Sequence, residues 1–122
     1  MLILNKPFCK EEFIFINNKE DIKNSYSNST LIFNFDLNLA IFCNENDINY
    51  AIITDDIKEF IFSINLNAKY VFCDDINIAK KFQKVADNYL SDTKVVLLID
   101  SFDDIEKVIG FEIDAVRLKE NR

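Results

Sequence analysis

The chain has 122 residues, enough for one domain with its own core and too few for two ordinary ones. Hydrophobic residues make up 49% of it, so it is not a disordered chain, and its net charge of −7 argues against a nucleic-acid grip built on phosphate contacts and against anionic membranes. No stretch approaches the ~18 consecutive apolar residues of a membrane span. The opening MLILNKPFCKEE lacks the basic region and long apolar run of a secretory signal, so the expected location is cytoplasmic.

The first full-length strand pattern is EFIFIN, residues 12–17. A weak helix, KEDIKNSYS (19–27), follows, with only Ile22 and Tyr26 on its apolar side. TLIFNF (30–35) reads as the next strand and DLNLAIFCNENDI (36–48) as a helix up to about Glu45. YAIIT (50–54) is a strand. DDIKEFIFSINLN (55–67) carries Ile57, Phe60, Ile61 and Ile64 at helical spacing. AKYVFC (68–73) precedes the clearest helix, DDINIAKKFQKVADNYL (74–90), whose face is Ala79, Phe82, Val85, Ala86 and Tyr89. TKVVLLI (93–99) leads to a helix over residues 101–109, with Phe102, Ile105 and Ile109 inward and Gly110 as its C-terminal cap. IDAVRL (113–118) mixes Asp114 and Arg117 with apolar residues and reads as an edge strand. MLIL could add one more.

One short helix between each pair of strands is the length a parallel crossover needs. The inner strands are apolar on both faces, as expected where helices cover both sides of a sheet. These patterns predict a single α/β domain over residues 1–122: a three-layer sandwich with an open, mainly parallel sheet of about five or six strands, flavodoxin-like or Rossmann-like. Strand order is left open by the alternation.

An acidic residue follows most strands: Asp36, Asp55, Asp56, Asp74, Asp75 and Asp100. In open parallel sheets that edge is where ligands bind, and clustered carboxylates there suit Mg²⁺. The simpler reading is structural. A strand turning directly into a helix needs an N-cap, and Asp is among the best, aided by the helix dipole. Ser101 with Asp104 resembles a capping box. One cap per helix accounts for most of these acids, but the doublets leave one carboxylate spare in each of two loops.

The order of acidic strand ends, a hydroxyl and a late lysine resembles a response-regulator receiver domain over residues 30–119. That resemblance implies Mg²⁺ at Asp36, a phosphoacceptor at Asp74, Ser101 as the hydroxyl and Lys119 as the lysine. The pattern departs from the family where its acidic pair is reduced to Asp36, where no Pro follows Lys119, and where an extra strand stands in front. In layout the chain is also similar to small α/β proteins of ε-proteobacteria, a likeness that implies no activity.

Other chemistry lacks its residues. A single glycine rules out the glycine-rich dinucleotide and phosphate loops. Without histidine, the commonest general base and the usual zinc sets are missing. Cys9, Cys43 and Cys73 are too scattered for a disulfide framework. Cys43 and Cys73 lie in apolar runs as small buried hydrophobes, and Cys73 stands beside two carboxylates that disfavour its thiolate. Lys80, Lys81 and Lys84 read as a solvated face with Asp87 paired to Lys84.

Surplus apolar surface is more informative. Residues 37–43 are apolar almost all round their helix, and Phe62 and Leu66 lie off the main face of theirs. A helix apolar on two sides is usually buried on two sides. The expected function is therefore a non-enzymatic cytoplasmic protein-interaction module, a homodimer or a partner of another protein, with Leu39, Phe42, Phe62 and Leu66 at the interface and no cofactor. The alternative is a receiver-like Mg²⁺-binding domain or small phosphoryl-handling enzyme using Asp36 and Asp74.

Overall fold

The structure is a computed structural model that describes residues 1–24 and 28–119. Among these residues seven strands form one parallel sheet: β1 (Leu2–Ile3), β2 (Phe13–Phe15), β3 (Thr30–Asn34), β4 (Tyr50–Ile53), β5 (Tyr70–Cys73), β6 (Lys94–Ile99) and β7 (Ala115–Leu118). Helices α1 (Leu37–Glu45), α2 (Ile57–Asn65), α3 (Ile76–Asn88) and α4 (Ile105–Val108) follow β3, β4, β5 and β6 in turn. The α/β class and the parallel sheet expected from the alternation are what the structure has, with seven strands rather than five or six. The added strand is β1. MLIL contributes only two residues to it, too few for a period to show, and pairs them with β7 at Leu2↔Ala115 and Ile3↔Val116.

The spatial order is β1-β7-β6-β5-β4-β3-β2. From β2 to β7 every strand lies beside its predecessor, and every step goes the same way. Right-handed crossovers repeated in one direction set their helices on one face. The packing agrees. Ala40, Phe60, Phe82 and Val108, one from each helix, share a core cluster with Phe33, Ile52, Val71, Leu97 and Val116. The alternate strand positions Ile32, Ala51, Phe72, Val96 and Ala115 point to the other face and form a second cluster there with Leu4.

Among the described residues no helix residue joins that second cluster, so the strands are apolar on both faces for a reason other than two helical layers. The sheet curls, and its concave side fills itself. Phe13 on β2 reaches Tyr70 and Phe72 on β5, with ring centroids 5.7 and 6.0 Å away. The one-way winding also differs from the flavodoxin-like order, in which the strand sequence reverses and creates a crevice at the reversal.

Residues 5–12 complete the concave side. At one end the Asn5 Oδ1 accepts from the Leu118 backbone N–H, 2.9 Å away at the carboxyl end of β7. At the other, Glu11 accepts from the Tyr70 hydroxyl at the amino end of β5 (2.6 Å) and from the Thr30 hydroxyl at that of β3. Between these anchors the chain runs back along the sheet and brings Cys9 against the second cluster.

Several local expectations are corrected. IDAVRL is not an edge strand, because β7 lies between β1 and β6. Its polar residues are accommodated: the Asp114 carboxylate accepts from the Val95 N–H (3.0 Å), and the Arg117 guanidinium lies over the Phe13 ring. The weak helix is a 3-10 segment, Lys19–Asn24, that packs Ile22 on the core; Tyr26 lies outside the described residues. The helix expected over 101–109 is α4 flanked by 3-10 turns at Phe102–Asp104 and Ile109–Phe111. That break changes the phase, so Val108 is buried while Phe102 and Ile109 are exposed. The left-handed residue ending this region is Glu112 (φ 57°), not Gly110. Tyr89 is exposed because α3 ends at Asn88, and Gln83 takes an inner place instead. Gln83 donates to Asp87 (3.0 Å), the carboxylate expected to pair with Lys84, and accepts from the Asp114 N–H (2.9 Å).

Candidate functional site

The strand-end acids sit where the helices begin. The Asp36 Oδ1 accepts from the Leu39 N–H (3.1 Å), and Asp56 accepts from Glu59 (3.0 Å). Asp75 accepts from Asn77 (2.8 Å) and Ile78 (3.2 Å). Each satisfies amide groups that the first helical turn leaves without a partner. The capping box is present: the Ser101 hydroxyl accepts from the Asp103 N–H (3.1 Å), and the Asp104 carboxylate accepts from the Ser101 N–H (3.2 Å). Backbone bonding from Ser101, followed by that from Asp100 and by Lys107, holds the Asp104 carboxyl below its ordinary pKa. In each doublet the second Asp caps, and Asp55 and Asp74 are exposed.

The residues matched to a receiver do not converge. Asp36 follows β3 and Asp74 follows β5, with β4 between them. Two strand spacings separate them by ~10 Å at ~4.8 Å each, against metal–oxygen bonds of ~2.1 Å for Mg²⁺. Lys119 extends β7 and pairs with Asp100 on the adjoining strand end (3.3 Å), not with Asp74. Among the described residues no three His, Cys, Asp or Glu side chains are grouped so that they could hold a metal ion.

The four apolar candidates divide. The Asp36 cap sets the phase of α1, and at 3.6 residues per turn Leu39, Ala40 and Cys43 then face the sheet. Leu39 is buried in the core and offers no outer surface. Phe42 is half-buried, with the Lys19 ammonium 4.2 Å from its ring centre. Phe62 and Leu66 do meet outside. With Leu37 and Ile41 of α1 they line a shallow groove of about 250 Å³ between α1 and α2, in which Asn65 is the polar wall. Phe62 is 40% exposed and Leu37 44%. The ring of Phe62 is held edge-on by Phe35, 6.2 Å away. Leu37 and Ile41 were missed as surface residues, although their four-residue spacing, out of phase with Ala40 and Cys43, carries the signal.

Both buried thiols are unreactive by environment. Burial pushes Cys43 up to about 11, and burial together with Asp74 and Asp75 pushes Cys73 up to about 12. The polar cluster around Glu11 had no signature in the sequence, since its partners Thr30, Lys69 and Tyr70 lie 19 to 59 positions away.

No family model matches the chain, and no curated protein matches it. Among the described residues no helix is long and apolar enough to cross a membrane. The fold and the site define a singly wound α/β domain whose strand-end acids begin its helices and whose α1–α2 face carries an uncharged apolar groove.

Proposed function

We propose that this chain is a non-enzymatic, cytoplasmic protein-interaction module that forms a symmetric homodimer through α1 and α2. The observation that carries this reading is the groove lined by Leu37, Ile41, Phe62 and Leu66, an apolar surface left over after the core is complete. The groove is where charge opposes a second copy least. Two molecules of net charge −7 repel one another over most of their surfaces, and the groove lining bears no ionised group. A two-fold contact would set Phe62 of each copy against the groove of the other, so that one patch serves as both faces.

Light scattering over a concentration series, with a thermal melt, tests this. The wild-type chain is expected as a dimer. Phe62→Asp is expected to give a folded monomer with an unchanged far-UV spectrum. Phe42→Asp should weaken association less, because Lys19 already covers that ring. A wild-type chain that stays monomeric at high micromolar concentration would sink the reading.

A further inference from the structure

A cleft of about 870 Å³ opens at the amino ends of β5 and β6, the end of the sheet opposite the helix caps. Its volume lies in the range of small-molecule sites, ~300–1,000 Å³. Ile61 and Ile64 of α2 and the buried Ala68 give it an apolar wall. The Thr93 hydroxyl is fixed there, donating to the Ala68 carbonyl (2.6 Å), and can only accept from a ligand. Tyr89 stands at the side and is 73% exposed.

The electrostatics of the cleft are one-sided. Both α2 and α3 end on it, and a helix C-terminus carries a partial negative charge. Neither helix has a basic residue in its last turn to offset that charge. Lys69, the one cation among the lining residues, is held by Glu11 at 2.8 Å. The remaining ionised group in the lining is the exposed carboxylate of Asp92. Negative potential, an open aromatic face and an aliphatic wall together match a positive charge carried on an apolar body.

We propose that this cleft binds a small organic cation, an ammonium group attached to an apolar body. The ammonium lies between the Asp92 carboxylate and the Tyr89 ring, and the apolar body lies on Ile61 and Ile64. The site shares one lining residue, Asn65, with the proposed dimer groove, but the proposal does not rest on that groove.

The test is a titration followed by calorimetry and by amide chemical shifts, using 2-phenylethylamine, 3-phenylpropionate and 2-phenylethanol at low salt. The amine is expected to bind ~tenfold or more tightly than the carboxylate of similar shape, with shifts centred on Tyr89 and Asp92. Asp92→Asn should remove that preference, and Tyr89→Ala should weaken the amine ~fivefold. The Phe62→Asp variant should bind the amine as the wild type does, whatever its oligomeric state. Equal binding of amine and carboxylate, an amine response centred elsewhere, or no response to millimolar amine would each overturn the proposal.

Discussion

The guanidinium of Arg117, on β7, lies 4.9 Å from the centre of the Phe13 ring, on β2. Those strands are five steps apart in the sheet order, which in a flat sheet would place them ~24 Å apart at ~4.8 Å per step. The contact therefore spans the concave side of a strongly curled sheet, and Arg117 is 8% exposed there. A cation over an aromatic face away from water contributes ~1–2 kcal/mol. A double-mutant cycle with Arg117→Met and Phe13→Leu, read by urea unfolding, should return a coupling of ~1 kcal/mol. Additive losses would show that the curl brings the two side chains close without energetic consequence.

Glu11 closes the same concave side at the amino ends of the strands. Burial alone would raise its pKa, but hydrogen bonds from Lys69, Thr30 and Tyr70 outweigh burial and hold it below its ordinary value. The charged form is thus the one the fold favours. A depressed carboxyl stabilises the fold above the unfolded-state pKa of ~4.3, and that contribution is lost as pH falls through the lower folded value. Glu11→Gln is expected to lose ~1.5–3 kcal/mol at pH 7, the range for hydrogen bonds to a charged group. The gap between variant and wild type should stay constant above about pH 5 and close toward pH 3. Urea melts at pH 7, 5 and 3.5 measure it; a gap that widens in acid would contradict the assignment.

The acidic doublets make a sharper test of the helix-cap reading than the single acids do. Asp75 and Asp56 accept from first-turn amides, and their neighbours Asp74 and Asp55 accept from none of them. Asp75→Ala and Asp56→Ala should each cost ~1 kcal/mol. Asp74→Ala and Asp55→Ala should stay within ~0.5 kcal/mol. If Asp74→Ala proved as costly as Asp75→Ala in equilibrium unfolding, the second carboxylate would have a role the caps do not explain.

Element positions were legible because they rest on local signals. Asp36, Asp56, Asp75 and Ser101 mark helix starts by chemistry confined to a few residues, and the face Ala79, Phe82, Ala86 follows from the helical period. The arrangement of those elements was not legible in the same way. Leu31, Ile32 and Phe33 read identically whether their second face meets helices or the inside of a curl. Nothing in β7 alone says that β1, more than 100 residues earlier, will cover its edge and turn an apparent edge strand into an interior one. At the α1–α2 groove, Phe62 and Leu66 were visible by their spacing. Leu39 was misplaced because an all-round apolar helix hides its own phase, and only the Asp36 cap fixes which side faces inward.

Glycine scarcity leaves a correctable cost at helix ends. Leu90 follows the C-cap of α3 in the left-handed region (φ 52°), where its N–H donates to Asp87 O (3.2 Å) and that of Ser91 to Ala86 O (2.9 Å). That closing turn suits glycine, and a side chain with a Cβ costs ~1–2 kcal/mol there. Leu90 recovers nothing by packing, since it is 88% exposed. Gly110 is the converse: its φ is not positive, and a Cβ added to it would meet nothing within 4 Å. Leu90→Gly should therefore stabilise the chain by ~0.5–1 kcal/mol, relief of strain exceeding the added freedom of the unfolded chain. Gly110→Ala should stabilise it by ~0.4–1 kcal/mol through the unfolded state alone. The two sites lie on different elements, so thermal melts of the double variant should show additive gains. A loss at Leu90→Gly would mean that the exposed leucine packs against something the isolated chain does not show, and light scattering on the same sample would tell whether that is a second copy.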